Sequence, residues 1–385
     1  MNARDIVMSP TPPPVPERGP GPKGSAPARI VNRNSAGTLA SYVFFVALAL
    51  TLAALLVAAT GGPWRSVTSA LLDGSLRRPG RWGETLAEAA PLLLVALGSI
   101  ISSRAGLVNI GQEGQLLFGA ACMAFVATRV HGPAGLLFSI AVGCVGGALW
   151  AGIAALLRYW RRVPEVITTL LLVFIAGQLT GYALTRRSLL LDPSRDRPNK
   201  TSTSAQLTAS TRLPGIHLFG NVFPISVVVA LVLAGVVAVA LGRTVWGFRL
   251  RMVGENPRTA QRAGVGAVRA GSAALLLGGG LAGLAGSLML SGGTANYRYT
   301  PGFSNNVGWE GLLVALVARN RPSLAIPIAF VFAMLRTGSG FLASTGVERE
   351  IVDVVRGLLV LALLLPAAVS FVRTRRRPAS VEAGA

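Results

Sequence analysis

Glu113 and Glu310 are flanked by glycines in one short phrase that occurs twice. The first copy runs Asn109-Ile110-Gly111-Gln112-Glu113-Gly114-Gln115-Leu116, the second Asn306-Val307-Gly308-Trp309-Glu310-Gly311-Leu312-Leu313. Each leads into an apolar run, 116–126 and 312–318. An ionised carboxylate is costly in hydrocarbon and normally faces protein or a water-filled cavity. Two roles fit these acids. Near the start of a helix they can accept orphan amides at the positive end of the dipole and so brace a broken helix. Alternatively, with Asn109, Gln112, Gln115, Asn306 and Trp309, they line a path for a polar solute. Asn109 and Asn306 are residues of a type that caps helices, and the neighbouring glycines permit a sharp turn or close approach.

A second stretch, Gly254-Glu255-Asn256-Pro257-Arg258-Thr259-Ala260-Gln261-Arg262-Ala263-Gly264-Val265, reads as a short capped helix. Asn256 is placed as N-cap, Pro257 at the first helical position and Gly264 at the end. About two turns of helix are marginal alone and need a partner surface, which marks this one as a docking helix.

Other chemistry is missing from the sequence. Its two lysines, Lys23 and Lys200, lie in no phosphate-binding loop, and neither a zinc-binding helix motif nor a nucleophile elbow occurs. His131 and His217 fall in expected outer loops, and Cys122 and Cys144 read as small packing residues. The expectation is a protein that is not an enzyme by itself and uses no metal and no cofactor.

The elements that must position these residues are membrane helices. Hydrophobic residues make up 52% of the 385 and charged ones 13%. Repeated apolar runs near the ~20 residues that cross a bilayer define an all-α polytopic membrane protein rather than several soluble domains. About ten spans are expected, near 41–60, 84–103, 106–128, 134–157, 166–185, 222–242, 271–291, 306–318, 323–341 and 350–372. Segment 306–318 is too short to cross as a regular helix and reads as broken or half-depth. Residues 1–38, rich in Pro, Gly and Ser, are expected to be a disordered cytoplasmic tail, 39–372 the transmembrane domain and 373–385 a basic cytoplasmic tail. No signal peptide is expected. The net charge of +21 would suggest nucleic acid in a soluble protein. Here the arginines lie beside apolar runs, where they fix topology against membrane lipid, so no nucleic acid is expected. With the N-terminus inside, the larger share of basic residues falls inside, including six in the 243–270 loop. Both termini are then cytoplasmic. The two phrases enter from opposite faces, giving inverted four-span halves, 84–185 and 271–372.

Arg104 to Gln115 followed by Leu116-Leu117-Phe118-Gly119-Ala120, with Pro164-Glu165-Val166-Ile167-Thr168-Thr169-Leu170 and the 254–265 loop, resembles permease subunits of ABC importers. The family holds branched-chain amino-acid, ribose and simple-sugar permeases, and the phrase is most similar to the nucleoside (guanosine-type) members. The resemblance covers about 84–372; at Trp309 the sequence departs from the small or polar residue expected there. It implies a multi-pass plasma-membrane permease that moves nucleosides, purine type first, with simple sugars as the near alternative. Implied partners are a cytoplasmic ABC ATPase, a second permease subunit and an extracytoplasmic substrate-binding lipoprotein. Gly254, Glu255, Asn256, Pro257, Arg258, Ala260 and Gly264 would form the coupling element seated on the ATPase, which alone would hydrolyse ATP. A secondary transporter that carries ions on Glu113 and Glu310 is the competing class, and a channel or scaffold is a third.

Overall fold

The computed structural model describes residues 35–59, 67–192, 202–218, 221–292, 294, 296–343, 347 and 349–375. The expected disordered tail at 1–34 and the basic tail beyond 375 lie outside the described residues. Residues 35–38, expected within that tail, are instead the first turn of a helix. Thirteen α-helices account for most of the described chain. In order they are α1 (Ser35–Ala59), α2 (Val67–Leu72), α3 (Arg81–Arg104), α4 (Gln112–Ala127), α5 (Gly132–Trp160), α6 (Glu165–Ala183) and α7 (Ile225–Arg243). There follow α8 (Val245–Glu255), α9 (Pro257–Arg262), α10 (Ala267–Ser291), α11 (Val307–Val317), α12 (Pro322–Ala343) and α13 (Arg349–Arg375).

Each expected span falls on a helix, and six helices (α3, α5, α6, α7, α10 and α12) are long and apolar enough to cross a bilayer. Two are short. At 1.5 Å per residue the 16 residues of α4 reach ~24 Å and the 11 of α11 ~17 Å, against a hydrocarbon core of ~30 Å. The expected span 106–128 is therefore not one helix, because 105–111 is non-helical and α4 starts at Gln112. Three elements depart from the sequence reading. Segment 61–83 contains α2 and a π-helical turn, 73–77; the 243–270 loop contains α8; and the 186–221 loop contributes a hairpin. That hairpin pairs β1 (Gly215–Leu218) antiparallel with β2 (Asn221–Pro224), Gly215 opposite Pro224.

At the centre lie α3 and α10, buried over most of their apolar stretch, whereas less than half of the apolar stretch of α5, α6, α7 and α12 is buried. The two central helices cross where Gly98 meets Gly278. A Cβ on Gly98 would stand 2.6 Å from the Gly278 carbonyl, so only glycine permits this approach. Around them α3 packs on α11 and α12, while α10 packs on α4 and α5. A second apolar cluster joins α1, α2, the end of α12 and α13 through residues such as Ala53, Leu71, Leu342 and Val355.

Candidate functional site

The non-helical 105–111 segment must satisfy its amides without water, since an unpaired N–H inside a membrane costs several kcal/mol. Its partners come from two elements. Leu107 N–H donates to the Ser102 carbonyl at 3.1 Å. On α6, Glu165 accepts from Val108 N–H (3.5 Å) and the Thr169 hydroxyl from Ile110 N–H (3.3 Å). Arg158 holds Glu165 at 3.1 Å. Asn109 turns its Oδ1 back to Gly111 N–H at 3.0 Å and pairs through both amide atoms with Gln115, each bond 3.0 Å. It braces the approach to α4 rather than capping the helix amides, because the N-cap position is Gly111.

Leaving α4, the Glu113 carboxylate serves the other copy of the phrase. Its Oε2 accepts Gly308 N–H at 2.7 Å and its Oε1 accepts the Ser304 hydroxyl. A side chain on Gly308 would collide with the Glu113 backbone, so the starts of α4 and α11 are in direct contact. Asn306, expected as a cap, makes no side-chain cap hydrogen bond. Its φ of +67° is left-handed, outside the β-region that aims a capping oxygen at the first turn. Glu113 takes over that work from across the interface.

Glu310 does something different. Its carboxylate accepts from Arg336 of α12 at 2.9 Å and from Arg356 of α13. Arg336 also reaches Glu88 of α3 at 2.9 Å and the Asn305 carbonyl at 3.0 Å. Two acids and two guanidinium groups thus form a neutral quartet around the start of α11, with Arg336 buried. Sequence reasoning placed Arg336 and Arg356 in or beside spans and gave them no role. The signal was an arginine inside an apolar run, which is costly unless paired.

Gln112 stands apart from the other polar residues of the phrase. It is fully buried beside Gly98, and among the described residues neither its amide nitrogen nor its amide oxygen has a partner; the Ser99 hydroxyl is likewise buried and unpartnered there. Trp309 is half-buried and Asn306 exposed. The loop before α11 is tied down by Tyr299, whose hydroxyl donates to the Leu117 carbonyl at 3.3 Å and whose ring stacks 4.9 Å from Phe303. Burial raises the Tyr299 phenol above its ordinary pKa. That loop also carries the 186–218 segment: Ser204 N–H donates to the Tyr299 carbonyl at 2.9 Å, and Arg298 pairs with Asp192 at 3.0 Å. Among the described residues no group of three or more His, Cys, Asp or Glu could hold a metal.

At the other end of the bundle, Asn256 Oδ1 accepts from Arg258 and Thr259 N–H, both at 3.1 Å, and so caps α9. Gly264 N–H bonds the Gln261 carbonyl at 3.0 Å and Val265 N–H the Ala260 carbonyl at 2.9 Å, with Gly264 at φ +79°. That is a Schellman stop. Ala260 is buried with Val253 and Ala267, while Glu255, Asn256, Pro257, Arg258 and Thr259 are exposed. The helix starts at Pro257 as expected; before it, Glu255 ends α8 and Gly254 packs against the Arg104 to Gly106 backbone. Beside α9 a groove of about 550 Å³ is lined by Gly106, Arg158, Tyr159, Arg162, Gln261 and Val268, among others.

These features define a polytopic membrane protein in which two short helices, α4 and α11, meet start to start. Residues 83–364 match the family described as branched-chain amino acid transport system / permease component, and the chain belongs to that family. It is 31% identical to a guanosine ABC transporter permease of Bacillus subtilis over 85% of this chain and 93% of that protein. It is 34% identical to a glucose ABC transporter permease of Haloferax volcanii, covering 73% and 75% of the two chains. A nucleoside ABC transporter permease of Lactococcus lactis is 30% identical over 72% and 77%. No solved structure matches.

Proposed function

We propose that this chain is the membrane-spanning subunit of an ATP-driven importer of nucleosides, purine type first, in the plasma membrane. Likeness to guanosine and nucleoside permeases over most of both chains supports the substrate class. The geometry that carries the permease reading is the contact between Glu113 and the first turn of α11. Two half-helices starting against each other leave polar groups at mid-depth only where a solute path needs them. Helices α3–α6 and α10–α13 form the two inverted halves. Their packing is reciprocal: α3 rests on α11 and α12 as α10 rests on α4 and α5. Asn109, Gln112, Gln115, Asn306 and Trp309 belong to the path, with Glu113 and Glu310 holding its walls. The α9 end faces the cytoplasm, as do both termini, and the exposed Glu255 to Thr259 edge seats on the ATPase. A second permease subunit and an extracytoplasmic binding lipoprotein complete the assembly.

The sugar reading has its own support in the Haloferax volcanii relative. Uptake of labelled guanosine and labelled glucose by the reconstituted importer separates the two: guanosine transport that excess glucose leaves untouched is expected, and the reverse preference would replace nucleoside by sugar. Ion coupling finds less support, because Glu113 is committed to Gly308 and Ser304, and Glu310 to two arginines. Uptake driven by an ion gradient without any ATPase would restore it.

A further inference from the structure

We propose that the groove beside α9 is a binding site for the phosphate headgroup of an anionic lipid of the cytoplasmic leaflet, and that the bound lipid buttresses the docking helix. The proposal rests on the reading above that α9 faces the cytoplasm.

Charge is the first observation. The groove wall carries Arg158 and Arg162 and no acidic residue, with the Tyr159 and Gln261 side chains alongside. Arg158 already pairs at 3.1 Å with Glu165, which does not line the groove. Arg162 is exposed at φ +58° and makes no ion pair among the described residues, which leaves its charge for an anion.

Depth is the second. With 29 residues, α5 reaches ~44 Å, well beyond a ~30 Å hydrocarbon core, so its last turn lies among headgroups. Trp160 in that turn is 67% exposed, and the Arg161 guanidinium stacks 4.4 Å from its ring. An exposed tryptophan beside arginines marks the boundary between hydrocarbon and headgroup. Leu156 and Ile153, one and two turns earlier on α5, and Val268 at the start of α10, are exposed apolar side chains. Acyl chains can lie along them while the phosphate enters the groove. A basic pocket between helices at this level is the setting in which lipid headgroups bind.

Position supplies the consequence. The walls come from the start of the 105–111 segment, the end of α5, the α8–α9 junction and the start of α10. An anion held there bridges the docking helix to the segment that leads into the first phrase.

The test uses the full importer complex, purified in detergent and probed by native mass spectrometry with phosphatidylglycerol, phosphatidylcholine or inorganic phosphate. Wild type is expected to retain phosphatidylglycerol over phosphatidylcholine. Arg162→Gln should lower that retention about fivefold, from the ~1 kcal/mol that one arginine contributes near an anionic surface, and Arg162→Lys should restore most of it. Displacement of the lipid by millimolar inorganic phosphate would assign the groove to a free anion and overturn the lipid source. Equal retention of both lipids, or no effect of Arg162→Gln, would overturn the site. Phosphatidylglycerol retained by the permease without the ATPase but absent from the full complex would hand the groove to the protein interface and overturn the site. Labelling of Thr259→Cys from each side of sealed vesicles reports the orientation independently. Labelling from the outside would sink the cytoplasmic reading, whatever the lipid result.

Discussion

Glu113→Ala removes the acceptor that joins the two half-helices. In the intact protein its carboxylate takes Gly308 N–H at 2.7 Å and the Ser304 hydroxyl, and both donors are buried. Each donor left unpaired costs about 1–3 kcal/mol, so the substitution should destabilise by ~2–6 kcal/mol. Glu113→Gln keeps an acceptor oxygen of the same shape and loses the charge. Hydrogen bonds to an ionised group are about twice as strong as neutral ones, so Gln should fall between wild type and Ala, nearer wild type. Two readouts follow. The thermal midpoint for loss of monodisperse protein should drop in the order wild type, Gln, Ala, by a few degrees per kcal/mol if the scaling of soluble domains holds. Hydrogen exchange of a peptide spanning 303–312 should speed up in Glu113→Ala while a peptide from α5 stays unchanged, because the lesion is local to the start of α11. Wild-type midpoint together with wild-type exchange in Glu113→Ala would show that the carboxylate does not brace the second half-helix, and the start-to-start reading would go with it.

Breaking the neutral quartet should also be costly: Arg336→Leu strands Glu88, leaves Glu310 with Arg356 alone and should cost ~3–5 kcal/mol, seen as loss of detergent-stable protein. Arg356→Gln should cost less, because Arg336 still neutralises Glu310; equal losses would mean the two arginines are not ranked as their contacts suggest. Asn256→Ala removes the cap of α9 at ~1 kcal/mol, and with Ala260 still buried it should weaken substrate-stimulated ATP turnover of the complex while leaving transmembrane folding intact. The pair Glu255→Ala with Arg258→Ala should abolish that stimulation without changing substrate affinity of the binding protein, and turnover that stays coupled would remove α9 from the docking surface. At Gly98 an added methyl would meet the Gly278 carbonyl at 2.6 Å, so Gly98→Ala should destabilise by about 1–3 kcal/mol, measured by the same thermal midpoint.

Much of the architecture was legible because membrane helices announce themselves by length and hydropathy, and because Asn256, Pro257 and Gly264 sit at the positions their backbone preferences favour. Segment 307–317 was legible as short for the same reason. The break at 105–111 was hidden. Its residues are mostly apolar, and what holds them out of a helix is Glu165 and Thr169 on another element, a contact no local pattern encodes. Asn306 misled for a related reason: its type favours capping, yet its left-handed φ turns the side chain away and a carboxylate about 195 positions earlier substitutes. The β-hairpin escaped notice because each strand has only four residues and its polar alternation is faint beside the flanking spans.

The two copies of the phrase are alike in sequence and unlike in what their acids do, and that difference bears on motion. Glu113 binds a backbone amide and a serine, so α4 and α11 are joined end to end by groups that belong to the helix starts themselves. Glu310 binds side chains on α12 and α13, and through Arg336 reaches Glu88 on α3. The start of α11 is therefore clamped on two sides, by α4 through Glu113 and by α12 and α13 through the arginines. No comparable ion pair secures the start of α4 among the described residues: Asn109 and Gln115 bond each other there, and the buried Gln112 amide has no partner. Neutral amide bonds cost less to exchange for solute or water than a desolvated ion quartet does. If the halves rock, α4 with its glutamines is the wall that can open to a polar solute, and α11 is the wall that stays put.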